Sequence, residues 1–247
     1  MSGTRSHSRK APATEALIVA HGQPSDPAPA EAALARLRDR VQAHLPELRL
    51  GSATMANGSR LEEQLATLPE GGLVYPLFMA NGWFVRTALR RRIGERPLRV
   101  LPPLGLDPEL PALAAGLLKA ALDAGGLEAE KTQLMIAAHG SAHGHAAAEA
   151  ALAFARRLDG LLPFARVSTG FVEQAPRLPD LSREINAPCL CLPFFAMDGD
   201  HMKEDVRQDM AAAGFAGEIL PALGTGAGVP ELIATALRNA HFEKEAA

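Results

Sequence analysis

Compact apolar runs alternate along this chain with stretches whose apolar residues recur every three or four positions. Gln133 to Ala138 has the length of one strand, and Ala147 to Leu162 follows with a helical period. Arg166 to Phe171 predicts a second strand and Leu178 to Ile185 a second helix. Pro188 to Phe195 predicts a third strand, too hydrophobic to leave either face in water. His201 to Ala213 reads as helix, Ala216 to Leu220 as a fourth strand, and Val229 to Ala240 as a closing helix with Pro230 in its first turn. The first half has the same plan, with strands near Ala16–Ala20, Arg49–Met55, Gly72–Phe78 and Leu98–Leu101. Strands alternating with helices predict an α/β fold built on a mainly parallel sheet.

The two halves share more than a plan. Leu17-Ile18-Val19-Ala20-His21-Gly22 returns as Met135-Ile136-Ala137-Ala138-His139-Gly140, and Pro76 to Gly82 returns as Pro193 to Gly199. Arg60-Leu61 returns as Arg177-Leu178, and Leu101 to Gly105 as Leu220 to Gly224, with the offset staying between 117 and 119 residues. A period this long means a small domain copied whole rather than a solenoid. We therefore expect two tandem duplicated domains, each a mainly parallel four-stranded sheet flanked by helices, facing each other across a cleft. The expected boundaries are a disordered arm at 1–14, a first half at 15–122, a linker at 123–132 around Gly125-Gly126, and a second half at 133–242.

Composition narrows the classes of function. Hydrophobic residues make up 47% of the chain, enough for proper cores, and the net charge of −3 gives no field for nucleic acid or a membrane surface. A single Trp and a single Tyr make no stacking platform for single strands. Met1 to Thr14 is polar and basic without an apolar stretch, so it does not read as a signal peptide, and no run approaches a membrane span. The expectation is a cytoplasmic protein, monomeric or homodimeric. Cys189 and Cys191 stand two apart in an apolar run, on one face of a strand, where they read as buried thiols, with a Cys-x-Cys metal contact as the alternative.

Duplication supplies an internal control: what both halves keep is architecture, and what one half keeps is chemistry. His139 follows the first strand of the second half, Glu173 the second and His201 the third. Ligands of open parallel sheets sit outside such strand ends. Two imidazoles and a carboxylate suit a borderline divalent ion, held in an open site. In the first half His21 survives, but an offset of 117 puts Ala56 opposite Glu173 and Phe84 opposite His201.

These residues resemble a known family. Ala138-His139-Gly140-Ser141, Gly170-Phe171-Val172-Glu173, and Leu192-Pro193-Phe194-Phe195 followed by Gly199-Asp200-His201-Met202-Lys203 are similar to the CbiX/SirB group of sirohydrochlorin chelatases, which work without ATP. The resemblance covers about Ala16 to Ala240. It implies insertion of Co²⁺ into a tetrapyrrole on the way to cobalamin, or else Fe²⁺ on the way to sirohaem or Ni²⁺ in a relative. It implies no permanent cofactor, the metal being a substrate. His139 and His201 become metal positioners and proton acceptors, with Glu173 as ligand, orienter or relay. A non-catalytic tetrapyrrole or metal carrier is the alternative of another class.

The implied substrate carries many carboxylates, which call for cations and backbone N–H groups. Candidates for binding it are Gly140 and Ser141 at the first turn, His21 in the matching place, Arg86 and Arg90 beside Arg91 and Arg92 on the helix after the degenerate rim, and Lys203. His143 and His145 could escort the ion, and Met197, Met202 and Trp83 could wall the macrocycle. Rival enzymes fit poorly. Ser141 is not in a Gly-x-Ser-x-Gly elbow, and the chain has no Gly-x-Gly-x-x-Gly or Walker A motif for a nucleotide.

Overall fold

A computed structural model describes residues 15–142, 144–199 and 206–245. Among them the strands form two four-stranded sheets, all neighbours parallel. The first contains β1 (Ala16–Ala20), β2 (Leu50–Thr54), β3 (Leu73–Pro76) and β4 (Arg99–Val100), in the order β2-β1-β3-β4. The second contains β5 (Gln133–Ala138), β6 (Arg166–Phe171), β7 (Cys189–Pro193) and β8 (Glu218–Ile219), in the order β6-β5-β7-β8. The edge strands β4 and β8 are shorter than the apolar pattern predicts. Pro97 and Pro102 bracket β4, and Pro221 follows β8; a proline has no N–H to give to the ladder.

The helices are α1 (Pro27–His44), α2 (Gly58–Thr67), α3 (Arg90–Ile93), α4 (Leu110–Gly125), α5 (Ala146–Asp159), α6 (Leu178–Arg183), α7 (Asp209–Ala212) and α8 (Val229–Glu245). Successive strand residues point to opposite faces, so a strand with helices on both sides must be apolar throughout. Ala16, Ile18 and Ala20 of β1 and Leu134, Ile136 and Ala138 of β5 all enter one central core. Leu17 and Val19 face an outer cluster with Leu61 and Leu65 of α2, while Met135 and Ala137 face another with Leu178 and Leu181 of α6.

The central core is common to both halves. It takes Leu34, Leu37 and Val41 from α1, Leu110, Ala114, Leu118 and Leu122 from α4, Phe154 and Leu158 from α5, and Ile233 and Leu237 from α8, each set at helical spacing. The closing helix of each half lies with the opening helix of the other: α4 packs on α5, and α8 on α1 and β3. A matching pair of hydrogen bonds ties the exchange. Arg40 of α1 donates to the Ala227 carbonyl at 3.4 Å, and Arg157 of α5 donates to the Pro108 carbonyl at 2.5 Å. The helix α8 also runs past the expected Ala240, because Arg99 of β4 donates to the Ala240 carbonyl at 3.0 Å and pairs with Glu243 at 2.5 Å. Residues 123–132, expected as a linker, carry the last turn of α4, its left-handed cap Gly126 (φ 61°) and a short turn at Ala129–Lys131.

Candidate functional site

Each sheet reverses its winding at its first strand. From β5 the chain crosses to β6 on one side and then returns to β7 on the other, so the crevice of the second sheet opens outside the ends of β5 and β7. His139 leaves β5 at that point, Glu173 leaves the neighbouring β6, and Phe195 follows β7, with its ring centroid 6.5 Å from that of His139.

Backbone holds Glu173 beside His139. The parallel ladder continues one step past the strands: Val172 N–H donates to the Ala138 carbonyl and Glu173 N–H to the His139 carbonyl, both at 3.0 Å. Gly140 then turns the chain away at φ 71°, where a Cβ would also lie 2.9 Å from Gln174 Cγ. The imidazole Nδ1 lies 3.2 Å from the Gly140 carbonyl and 3.7 Å from a Glu173 carboxylate oxygen. The second distance is too long for a hydrogen bond but well within reach of charge. A carbonyl and a carboxylate only accept, so both favour the tautomer with its proton on Nδ1. Half-exposed side chains, 35% for His139 and 44% for Glu173, keep the pair open to an incoming ion.

The first half repeats this scaffold without its charge. Met55 N–H donates to the Ala20 carbonyl at 2.9 Å and Ala56 N–H to the His21 carbonyl at 3.0 Å, so residue 56 stands where residue 173 stands. Gly22 turns at φ 75°, and His21 Nδ1 lies 2.8 Å from its carbonyl. The neighbour is an alanine, and the His21 ring is instead met edge-on by Phe84, centroids 4.2 Å apart. Trp83 and Phe78 complete an aromatic group around Phe84, at 5.2 and 6.4 Å.

Beyond Gly199 the two halves differ in length. Buried Val85 and Leu89, on the π-helical turn Phe84–Leu89, match buried Val206 and Met210, so the offset has grown from 117 at Gly199 to 121 at Val206. Six residues separate Gly199 from Val206, against two between Gly82 and Val85. The second half therefore carries four more residues than the first between these points, in the stretch of sequence that holds His201 and Lys203. Both lie outside the described residues, as do Met202 and His143. Among the described residues no three His, Cys, Asp or Glu side chains gather.

The remaining candidates are dispersed. Ser141 N–H donates to Gln174 Oε1 at 3.0 Å, which engages one of the amides expected to face an anion, and α5 starts only at Ala146. Arg86 and Arg90 are exposed on the helical segment after the first rim. Met197 packs against the central core. Gln174 was missed in the sequence, although its counterpart at offset 117, Asn57, is also an amide that caps: its side chain accepts from Arg60 N–H at 3.3 Å. Cys189 and Cys191 are buried in the outer cluster of the second sheet, and burial pushes both thiols up, Cys189 to about 11. The thiolate is the reactive form. Native protein at pH 8 should therefore resist a thiol-specific disulfide reagent that labels both cysteines after unfolding; rapid native labelling would contradict the burial.

Two interlocked parallel sheets with a His-carboxylate rim at one switch point define a chelatase-type fold. Among solved structures the chain is similar to CbiX, described as the terminal enzyme for biosynthesis of siroheme in denitrifying bacteria. The identity is 39%, over 92% of this chain and 99% of that one, with a TM-score of 0.84. It also resembles SirB from Bacillus subtilis with Fe³⁺ (15% identity, 94% and 96% covered, TM-score 0.73). A third is DR2241 from Deinococcus radiodurans, a multi-domain protein with structural similarity to chelatases (23%, 92% and 54% covered, TM-score 0.68). A CbiX family model matches residues 133–240, the half that carries His139 and Glu173. No curated protein gives a significant match. The chain belongs to the CbiX family of metal chelatases.

Proposed function

We propose that this protein inserts a divalent first-row metal into a sirohydrochlorin-type tetrapyrrole without ATP, at the rim of its second sheet. The observation that supports this most is the asymmetry of two matched rims: His139 keeps a carboxylate at 3.7 Å, whereas His21 faces alanine and phenylalanine. Insertion requires a hydrated cation to shed water while two pyrrole N–H protons leave. A neutral imidazole can hold such an ion and release it, because it binds without the tightness of a thiolate. In this reading His139 presents Nε2 to the ion, and Glu173 orients the ring and fixes its tautomer. His201 supplies the second imidazole. In the sequence it stands two residues beyond Gly199, on the segment that follows β7.

Cobalt is the ion expected from the resemblance, with cobalamin as the end point. Ferrous iron has a specific observation in its favour, since the 39%-identical relative is described as serving siroheme biosynthesis. Steady-state rates with Co²⁺, Fe²⁺ and Ni²⁺ on sirohydrochlorin, followed by macrocycle absorbance, distinguish these readings and separate a catalyst from a stoichiometric carrier. The chelatase reading fails if no ion gives more than one metallated macrocycle per protein.

Replacing Glu173 by Gln keeps the volume and removes the charge. Turnover should fall about 10–100-fold, the usual effect of losing a carboxylate that orients a metal-binding histidine. A variant as fast as the parent would remove Glu173 from the site.

A further inference from the structure

The first half faces the active rim of the second with charge of its own. A cavity of about 160 Å³ lies between α1 and the loops that follow β7 and β8, lined by Ala33, Arg36, Leu37 and Arg40 on one side and by Ala196, Met197, Asp198, Gly224 and Thr225 on the other. Two guanidinium groups and one carboxylate thus line it. Asp198 is engaged across the loops, accepting from Ala222 N–H at 3.4 Å, and Arg40 donates to the Ala227 carbonyl at 3.4 Å. Arg36 forms no ion pair among the described residues, and its side chain is exposed to solvent at the mouth.

Duplication shows that this charge is selective. The buried face of α1, Leu34-Leu37-Val41, matches Ala151-Phe154-Leu158 of α5 at an offset of 117, which pairs Arg40 with Arg157 and Arg36 with Ala153. Arg40 and Arg157 make equivalent bonds to the opposite half, so they belong to the architecture. Arg36 has no counterpart: only the rim that keeps His139 and Glu173 is faced by this extra cation.

Position fits a substrate group. Neighbouring strands lie about 4.8 Å apart, so loops one and two strands along from β5 stand roughly 5–10 Å from His139 on the same edge. That is the reach from the centre of a tetrapyrrole to its peripheral carboxylates. We propose that Arg36, with Arg40 beside it, is a carboxylate subsite that grips an acidic side chain of the macrocycle and sets its position over the second-half rim. The inference rests on the chelatase reading above and adds to it a binding residue donated by the opposite half.

The test uses the full chain without added metal, titrated with sirohydrochlorin and, separately, with its methyl ester. Arg36→Ala should weaken sirohydrochlorin binding about tenfold, as expected for one charge-assisted contact, and leave binding of the ester unchanged. Arg36→Lys should restore part of the affinity. In turnover, the KM for sirohydrochlorin should rise while kcat and the KM for Co²⁺ stay within about twofold. Equal affinities of parent and variant for sirohydrochlorin overturn the subsite alone, as does an equal loss for the ester. A parent protein that neither binds nor metallates sirohydrochlorin overturns the chelatase reading and the subsite with it.

Discussion

His201→Ala is expected to reduce metal insertion by about 10²–10⁴-fold, the range associated with losing a positioned proton acceptor, while His21→Ala changes it less than about threefold. The contrast comes from what surrounds each imidazole. His21 and His139 leave equivalent strands, stand beside equivalent ladder residues and contact the carbonyl of a left-handed glycine in the same way. Yet only the second rim adds a carboxylate beside its imidazole and a longer following segment whose sequence contains another histidine. Without His201 the ion would have one imidazole from this chain, and a first-row cation held at one point exchanges with water instead of delivering itself to four pyrrole nitrogens. Removing His21 takes away the edge-on partner of Phe84 and a contact with the Gly22 carbonyl, and among the described residues no carboxylate pairs with that ring as Glu173 does with His139. Initial rates measured on the two variants at saturating metal and macrocycle check this. Equal losses would mean that both rims take part, and the division of labour between the halves would be wrong.

The legible parts of this molecule are those governed by local rules. β1, β5 and β6 have the boundaries predicted for them; β1, and β5 from Leu134 on, are buried on both faces, where a polar residue would be costly. Glu173 was legible for a related reason: it follows its strand at the place where Ala56 follows β2, and the ladder carries both residues past the sheet edge in register. What the pattern concealed is relational. A helical face such as Leu110-Ala114-Leu118-Leu122 shows that α4 is buried, but not that its partner is α5 of the other half. Counting a fixed offset also hid the four extra residues between Gly199 and Val206, since an insertion between two matched elements is silent until buried residues on either side reset the register. Arg36 is the same kind of omission. It reads as one more basic residue on a helix until the exchange of helices turns α1 toward the loops after β7 and β8.

Gly224→Ala and Gly105→Ala should each cost about 3–5 kcal/mol of stability, yet only the first should slow the folded enzyme. The two glycines occupy equivalent places. Gly224 N–H donates to the Phe195 carbonyl at 2.9 Å and Gly105 N–H to the Phe78 carbonyl at 3.0 Å. A Cβ on Gly224 would sit 2.1 Å from the Ala196 carbonyl oxygen, and one on Gly105 would sit 2.0 Å from that of Met79. Backbone, unlike a flexible side-chain tip, cannot swing away, so in each variant one loop must move off the other. In the first half the displaced loop leads to Trp83 and Phe84. In the second it is Ala196 to Gly199, the segment that wall the Arg36 cavity and precedes His201. A shift near 1 Å in such a group is enough to cost about 10²-fold in rate, because insertion depends on the ion and the macrocycle meeting in register. Chemical denaturation of both variants measures the shared steric cost. Turnover at low temperature, where both remain folded, measures what is particular to the second rim; equal turnover in the two would separate the Ala196–Gly199 loop from the chemistry.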